Sequence, residues 1–314
     1  MDTHLPYHIP ALLEPTVNLL ITDPDGVYVD CTMGGAGHSR AILERLSSKG
    51  RLLGFDQDAD ARRNIPDDPR FIFVNSNFRY LYNFLRYYGI DKVDGILADL
   101  GVSFHHFDEA GRGFSFREDA PLDMRMNRNA GRTAADLLAD FDEESLRNAI
   151  EKYTDLKKIP SIVKAILAAR QKETVMTTGS LAKALEPVLN PKSLKKDLAQ
   201  VFQMLRIMVN DELGALNDLL DQADYVVKTG GRIAVLSYHS GEDRLIKSFI
   251  KTGYADPMKT ASHDIYGETP SPWKRITRSP VVADDEEVAV NPRSRSAKLR
   301  VAERNSLPWP PAGF

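Results

Sequence analysis

The sequence offers little sulfur chemistry: Cys31 is its one cysteine among 314 residues. A single thiol excludes an intramolecular disulfide and every zinc or iron–sulfur site that needs several cysteines. It fits a reducing compartment. Charge of one sign is equally scarce. Lys+Arg number 41 and Asp+Glu 44, a net charge of −3, so no global basic field advertises nucleic acid. No apolar run approaches the roughly 18 residues that span a bilayer. The opening MDTHLPYHIPALLEP has an early acid, no basic segment and prolines in its apolar stretch, so it does not read as a signal peptide. There is no internal repeat. These absences predict a cytoplasmic protein without membrane contact. Hydrophobic residues make up 42% and charged residues 27%, ordinary values for a globular chain. The length suggests about two domains.

What is present begins with short apolar runs separated by helical patterns. Val27–Asp30, Arg51–Phe55, Phe71–Val74 and Gly95–Asp99 read as buried strands. His38 to Leu46 carries a helix pattern. Strands alternating with helices imply a parallel sheet covered on both faces. Far downstream, Arg232–Ser237 is another buried strand, and Lys298–Ala302 alternates as a closing strand. Residues 255–292, rich in Pro, Ser and Thr and holding the acidic run Asp284–Glu287, read as a long loop.

Between the strand groups, roughly from Thr133 to Leu220, strand signals vanish and spacing near 3.6 takes over. The expectation is a helical insert in an α/β domain. Its charge is lopsided: Lys152 to Arg206 holds 11 Lys/Arg against 4 Asp/Glu, so the remainder of the chain is acidic. Either this is a solvated helical surface or it is a local patch that faces phosphates.

The first strand runs into Asp30-Cys31-Thr32-Met33-Gly34-Gly35-Ala36-Gly37-His38, and Asp56 ends the second strand. Glycines allow close approach to a ligand, and the following helix aims its N–H groups into the same crevice. A dinucleotide fingerprint needs a third glycine, but His38-Ser39-Arg40 follows Gly37. No P-loop pattern occurs either. An acid, a glycine loop and a second acid able to bridge ribose hydroxyls suit S-adenosylmethionine better. Asp99, closing the fourth strand, faces the same edge of the sheet.

The segments His8–Leu13, Gly37-His38-Ser39, Asp94–Ser103, Arg112–Phe116, Pro121–Met126, Phe202–Ile207, Ser237–Arg244 and Asn291–Ser296 occur in one order along nearly the whole chain. In these the chain resembles the bacterial small-subunit ribosomal RNA cytosine-N4 methyltransferases, the MraW family. The resemblance implies an α/β, Rossmann-like class I methyltransferase with a doubly wound, mostly parallel sheet and an inserted helical domain. Residues 1–130 and 212–314 would form the methyltransferase domain, and 131–211 the inserted substrate-recognition domain. It implies methylation of the exocyclic N4 of a cytidine in the decoding region, in an assembled or assembling small subunit. It places the cofactor contacts on Ala36, Gly37, His38, Asp56, Phe78, Asp99 and His106. Metal is not expected, and the oligomeric state is left open. Two departures stand out. After Ser103 the family usually reads Ser-Pro-Gln, and here Phe104-His105-His106 follows. Tyr238 and Gly241 replace the usual Phe and Leu.

Cytosine N4 is a poor nucleophile, so the protein must align the reactants and supply an acceptor for an amino proton. Asp99 is the candidate catalytic residue, or it holds the cofactor; His239 and Ser103 are the alternatives for the proton. Ser240–Asp243 also fits a helix-capping box. An extruded base needs aromatic faces, for which Phe104, Phe114, Phe116 and Tyr238 are candidates. Arg125, Arg206, Arg293 and Arg295 are candidate RNA contacts. His4 and His8 belong to no ligand pattern. Two other readings compete: a methyltransferase of the same fold acting on a small molecule or protein, and a non-catalytic RNA-binding assembly factor.

Overall fold

The structure, a computed structural model, describes residues 10–101, 109–172, 176–256 and 271–308. These form two compact units. One contains the described residues through Gly101 and from Leu213 onward; the other contains those between.

The first unit is built on seven strands: β1 (Val27–Asp30), β2 (Arg51–Phe55), β3 (Phe71–Val74), β4 (Val93–Asp99), β5 (Val227–Ser237), β6 (Trp273–Arg275) and β7 (Lys298–Arg304). Their order is β3-β2-β1-β4-β5-β7-β6. β1 pairs in parallel with β2 on one side and β4 on the other. β7 runs antiparallel to both β5 and β6. The sheet is therefore doubly wound and mostly parallel. Strands covered on both faces carry apolar side chains on both faces, and Val29, Leu52, Leu53, Ile96 and Leu97 are all fully buried. Each such side chain contributes about 1.5–3 kcal/mol relative to exposure.

Around the sheet lie α1 (Leu13–Leu20), α2 (Gly37–Arg45) and α3 (Leu81–Tyr87). The second unit holds α4 (Ala134–Asp140), α5 (Glu143–Tyr153), α6 (Ile159–Lys172), α7 (Thr178–Leu185) and α8 (Leu194–Asn210). The chain returns to the first unit with α9 (Glu212–Val226), α10 (Ser240–Thr252) and α11 (Asp285–Val290). Thr133, Asp142 and Thr177 cap α4, α5 and α7 through their side chains. The second unit has its own core, in which Leu146, Ile162, Leu181 and Leu205 are fully buried. Phe114, Leu122 and Met124 belong to that core, so residues ahead of the expected boundary at 131 pack with the helices. Among the described residues no helix is long and apolar enough to cross a membrane.

Three local readings change. The helical spacing that runs on to Leu220 breaks into α8 and α9, because Asp211 takes left-handed backbone with φ 47°. The expected long loop contains β6 and α11, while residues 257–270 lie outside the described residues. Its acidic run is structural: Asp284 caps α11, and Glu287 Oε1 accepts the Leu12 N–H at 2.7 Å.

Asp224 is a partly buried carboxyl whose affinity for a proton is raised. The Trp273 Nε1–H donates to its Oδ1 at 2.6 Å, and burial pushes the carboxyl up to about 7. The folded chain then binds a proton that the unfolded chain releases near its ordinary value of about 4. This contribution to stability is present below pH 4 and is lost as pH rises toward 7. Asp224→Asn keeps the acceptor and removes the charge. Its thermal midpoint is expected to exceed that of the wild type at pH 8 and to match it near pH 4. Parallel melts across that range check this, and identical pH responses would refute it.

Candidate active site

The sheet order reverses between β1 and β4, and ligands of such sheets bind outside the carboxyl ends at that point. Asp30 ends β1, Asp56 follows β2, Phe78 follows β3, Asp99 ends β4 and Tyr238 follows β5. The register sets Asp30 opposite Leu97 and Asp99 opposite Leu236. Five sequence-distant side chains therefore share one edge.

Asp30 is buried and turned inward. Its Oδ2 accepts the Ser39 hydroxyl at 2.6 Å and its Oδ1 the Thr32 N–H at 3.1 Å. Burial raises its carboxyl above the ordinary range, against the pull of Ser39. The pair locks β1 to the first turn of α2. Cys31 is buried beside it, and burial pushes its thiol up, so it is a packing residue rather than a nucleophile.

Ala36 precedes α2 in left-handed backbone, φ 59°, and no side chain caps that helix. Such a conformation costs a non-glycine residue about 1 kcal/mol or more. The first-turn N–H groups cannot bond within the helix, so they stay available to a ligand. His38 is buried in this turn, with Nε2 unpartnered among the described residues. Its Nδ1 lies 3.7 Å from Asp99 Oδ2. Gly37 also meets a packing demand. A Cβ there would lie 2.3 Å from Pro10 Cγ, so its small size admits the N-terminal segment, while its N–H remains one of the first-turn donors of α2.

Asp56 stands on the far side of the loop. Its Oδ2 accepts the Gly34 N–H and its Oδ1 the Asp58 N–H, each at 2.8 Å. Burial pushes its carboxyl up to about 7, although these two bonds oppose the shift. Phe78 begins a 3-10 turn after β3 and packs on the sheet's core. Asp99 takes the Tyr238 hydroxyl on Oδ1 at 2.8 Å, and its own N–H donates to Thr32 Oγ1 at 2.7 Å. Neither the Tyr238 bond nor the Thr32 bond has a sequence signature, since the partners are 139 and 67 residues away.

The other candidates fall differently. His106, with Ser103, Phe104, His105, His4 and His8, lies outside the described residues. Phe114 is a core residue of the second unit rather than a platform, and Phe116 packs edge-on against Phe202 at 5.1 Å. Arg125 is held bidentately by Asp123, and Arg206 by Glu212. Both guanidinium forks are thus engaged within their own unit instead of open to RNA. Arg293 and Arg295 are exposed on a 3-10 turn. The helix box starts one residue earlier than expected: His239, not Ser240, caps α10, and Glu242 answers it. His239 Nδ1 accepts the Glu242 N–H at 3.4 Å, whereas its buried Nε2, 3.0 Å from Glu242 Oε1, has no hydrogen-bond partner among the described residues.

The edge thus offers N–H donors at α2 and carboxylate acceptors at Asp56 and Asp99. Such a set suits a ligand with an acid group at one end and a diol at the other.

The chain is similar to proteins of known name. A ribosomal RNA small subunit methyltransferase H of Porphyromonas gingivalis is 53% identical over 306 residues, covering 96% of this chain and 98% of the relative. That of Bacteroides thetaiotaomicron is 51% identical over 300 residues, covering 96% and 98%. That of Azobacteroides pseudotrichonymphae is 49% identical over 302 residues, covering 96% and 99%. Residues 6–305 match the family described as MraW methylases. The uncapped α2, the paired acids at the sheet's switch point and this full-length likeness agree: the chain belongs to the MraW methylase family.

Proposed function

We propose that the protein transfers a methyl group from S-adenosylmethionine to the exocyclic N4 of a cytidine in the decoding region of small-subunit ribosomal RNA, presented in an assembled or assembling subunit. The observation that carries this reading is the sheet edge on which Asp56, the open first turn of α2, His38 and Asp99 converge. Support for the RNA comes from the likeness to small subunit methyltransferase H proteins.

The residues present fit the cofactor. The first turn of α2 and the unpartnered His38 Nε2 are donors for the carboxylate of its amino-acid end. Asp56, with lone pairs left after its two backbone bonds, accepts the ribose hydroxyls. Phe78 lies along the same edge, where an adenine ring needs an apolar face. When bound, S-adenosylmethionine supplies an activated methyl on a sulfonium sulfur. The chain's own contribution is alignment, exclusion of water and removal of a proton. Asp99 would accept the proton that the target amine gives up as it is methylated.

The helical unit is the RNA-facing part in this reading. Lys157, Lys158, Lys195 and Lys196 are exposed and make no ion pair among the described residues. Gln200 Oε1 accepts the Asp155 N–H at 2.8 Å, which ties the loop bearing Lys157 and Lys158 to α8, one turn from Lys196. Lys158 holds left-handed backbone, φ 57°, immediately before α6. A cation there opposes the helix dipole. Neither feature serves stability, and both serve an anionic partner.

Three outcomes test this. Incubation with S-adenosylmethionine and unmodified small subunits is expected to yield N4-methylcytidine in nucleoside mass mapping, and Asp99→Ala is expected to abolish it while keeping the fold. Turnover near normal in that variant removes Asp99 from the chemistry. Ionised Asp56 is the form that accepts both hydroxyls, so cofactor affinity should weaken below pH 7, approaching tenfold per pH unit. Asp56→Asn should bind weakly without that dependence; calorimetry from pH 6 to 8 reads both. Glu at all four lysines is expected to weaken RNA binding and flatten its salt dependence. An unchanged slope would return them to plain solvent-facing roles.

A further inference from the structure

The two oxygens of Asp99 are not equivalent. Oδ1 accepts the Tyr238 hydroxyl at 2.8 Å and the Gly101 N–H at 3.2 Å. Oδ2 accepts no hydrogen bond among the described residues and faces His38 Nδ1 at 3.7 Å. We propose that Tyr238 is a positioning residue for methyl transfer: with the Gly101 N–H it occupies Oδ1, so that Oδ2 is the oxygen presented to the target amine. This rests on the reading of Asp99 as the proton acceptor.

The terminal torsion of an aspartate is broad and soft. A carboxylate left to water samples many orientations, and a proton acceptor must be held within hydrogen-bond reach of its donor. Two donors on one oxygen remove that freedom. They follow different strands, Gly101 after β4 and Tyr238 after β5, which run side by side with Asp99 opposite Leu236. The Leu100 N–H continues the ladder to the Leu236 carbonyl at 3.0 Å. Tyr238 is itself anchored, since its N–H donates to Glu242 Oε2 at 2.8 Å. The capping box of α10 therefore seats the tyrosine as well as starting a helix.

The backbone leaves room for this contact at one place. A Cβ on Gly101 would stand 2.9 Å from Tyr238 Cε2 and 3.1 Å from Oη, so any larger residue displaces the ring. Burial and the Asp99 charge both raise the phenol above its ordinary range, which keeps its hydrogen in place as a permanent donor. Phe has the same outline without the hydroxyl, so substitution isolates the bond.

The test is steady-state methylation of small subunits by wild type, Tyr238→Phe and Asp99→Ala, with cofactor Kd by calorimetry and thermal midpoints. Tyr238→Phe is expected to lower kcat about tenfold, the low end for a bond to a charged group. KM for the RNA and Kd for the cofactor should stay within about twofold of wild type. An unchanged kcat, or a loss confined to KM, overturns the proposal. If Tyr238→Phe melts early, Gly101→Ala serves instead: displacing the ring should lower kcat likewise with Kd retained, and an unaltered kcat is equally fatal. Asp99→Ala separates the two ideas. If it is inactive while Tyr238→Phe is normal, only the tyrosine's role is lost. If it turns over normally, the Asp99 reading fails and takes the positioning role with it.

Discussion

One constraint underlies the chemistry of this chain: β1 and β4 are parallel neighbours, and the chain leaves β1 toward β2 but leaves β4 toward β5, in opposite directions. The crevice that results is a property of topology, not of any single residue. Because β1, β2 and β4 are in register, the residues after them arrive at one level. Asp30, Asp56 and Asp99 are brought together by this alone. Three acids on one edge repel, and the structure answers each differently. Asp30 is satisfied internally by Ser39 and Thr32, Asp56 by two backbone N–H groups, and Asp99 by Tyr238 and Gly101. The same charge thus serves as a structural lock, a candidate sugar acceptor and a candidate base.

The segment Ser237–Arg244 shows how structural and chemical demands share one motif. Glu242 accepts the N–H groups of Tyr238 and His239. Asp243 is buried and pairs with Arg300 on β7 at 2.6 Å and with Lys247 at 2.9 Å. Most of the conspicuous charges therefore hold α10 to the sheet. Tyr238 is the residue of this segment that reaches Asp99.

Much of the fold was legible because parallel strands buried on both faces appear as uninterrupted apolar runs, as in Leu52-Leu53 and Ile96-Leu97-Ala98. β6 was not legible: Trp273–Arg275 is three residues long, and its place is set by pairing with β7. The break at Asp211 was hidden because a non-glycine residue takes the left-handed turn. At the site, Asp56 and Asp99 were legible as acids that end strands. The internal satisfaction of Asp30 and the phenol on Asp99 were not, since hydrogen-bond partners across a sheet leave no spacing in sequence. Phe114 misled because an aromatic beside Arg112 looks like a base platform. Arg112 is itself buried and donates to the carbonyls of Arg125 and Met126, which makes that motif a core element.

The bond between the Leu12 N–H and Glu287 joins residues 275 positions apart. Synthesis proceeds from the amino end, and contacts of such separation close late. While a ribosome is still making the chain, α1 emerges early but its entry stays unfinished until α11 has left the exit tunnel. β5, β6 and β7 also wait for the whole helical unit to pass. The α/β unit therefore closes only after the helical unit set between its two parts has been made.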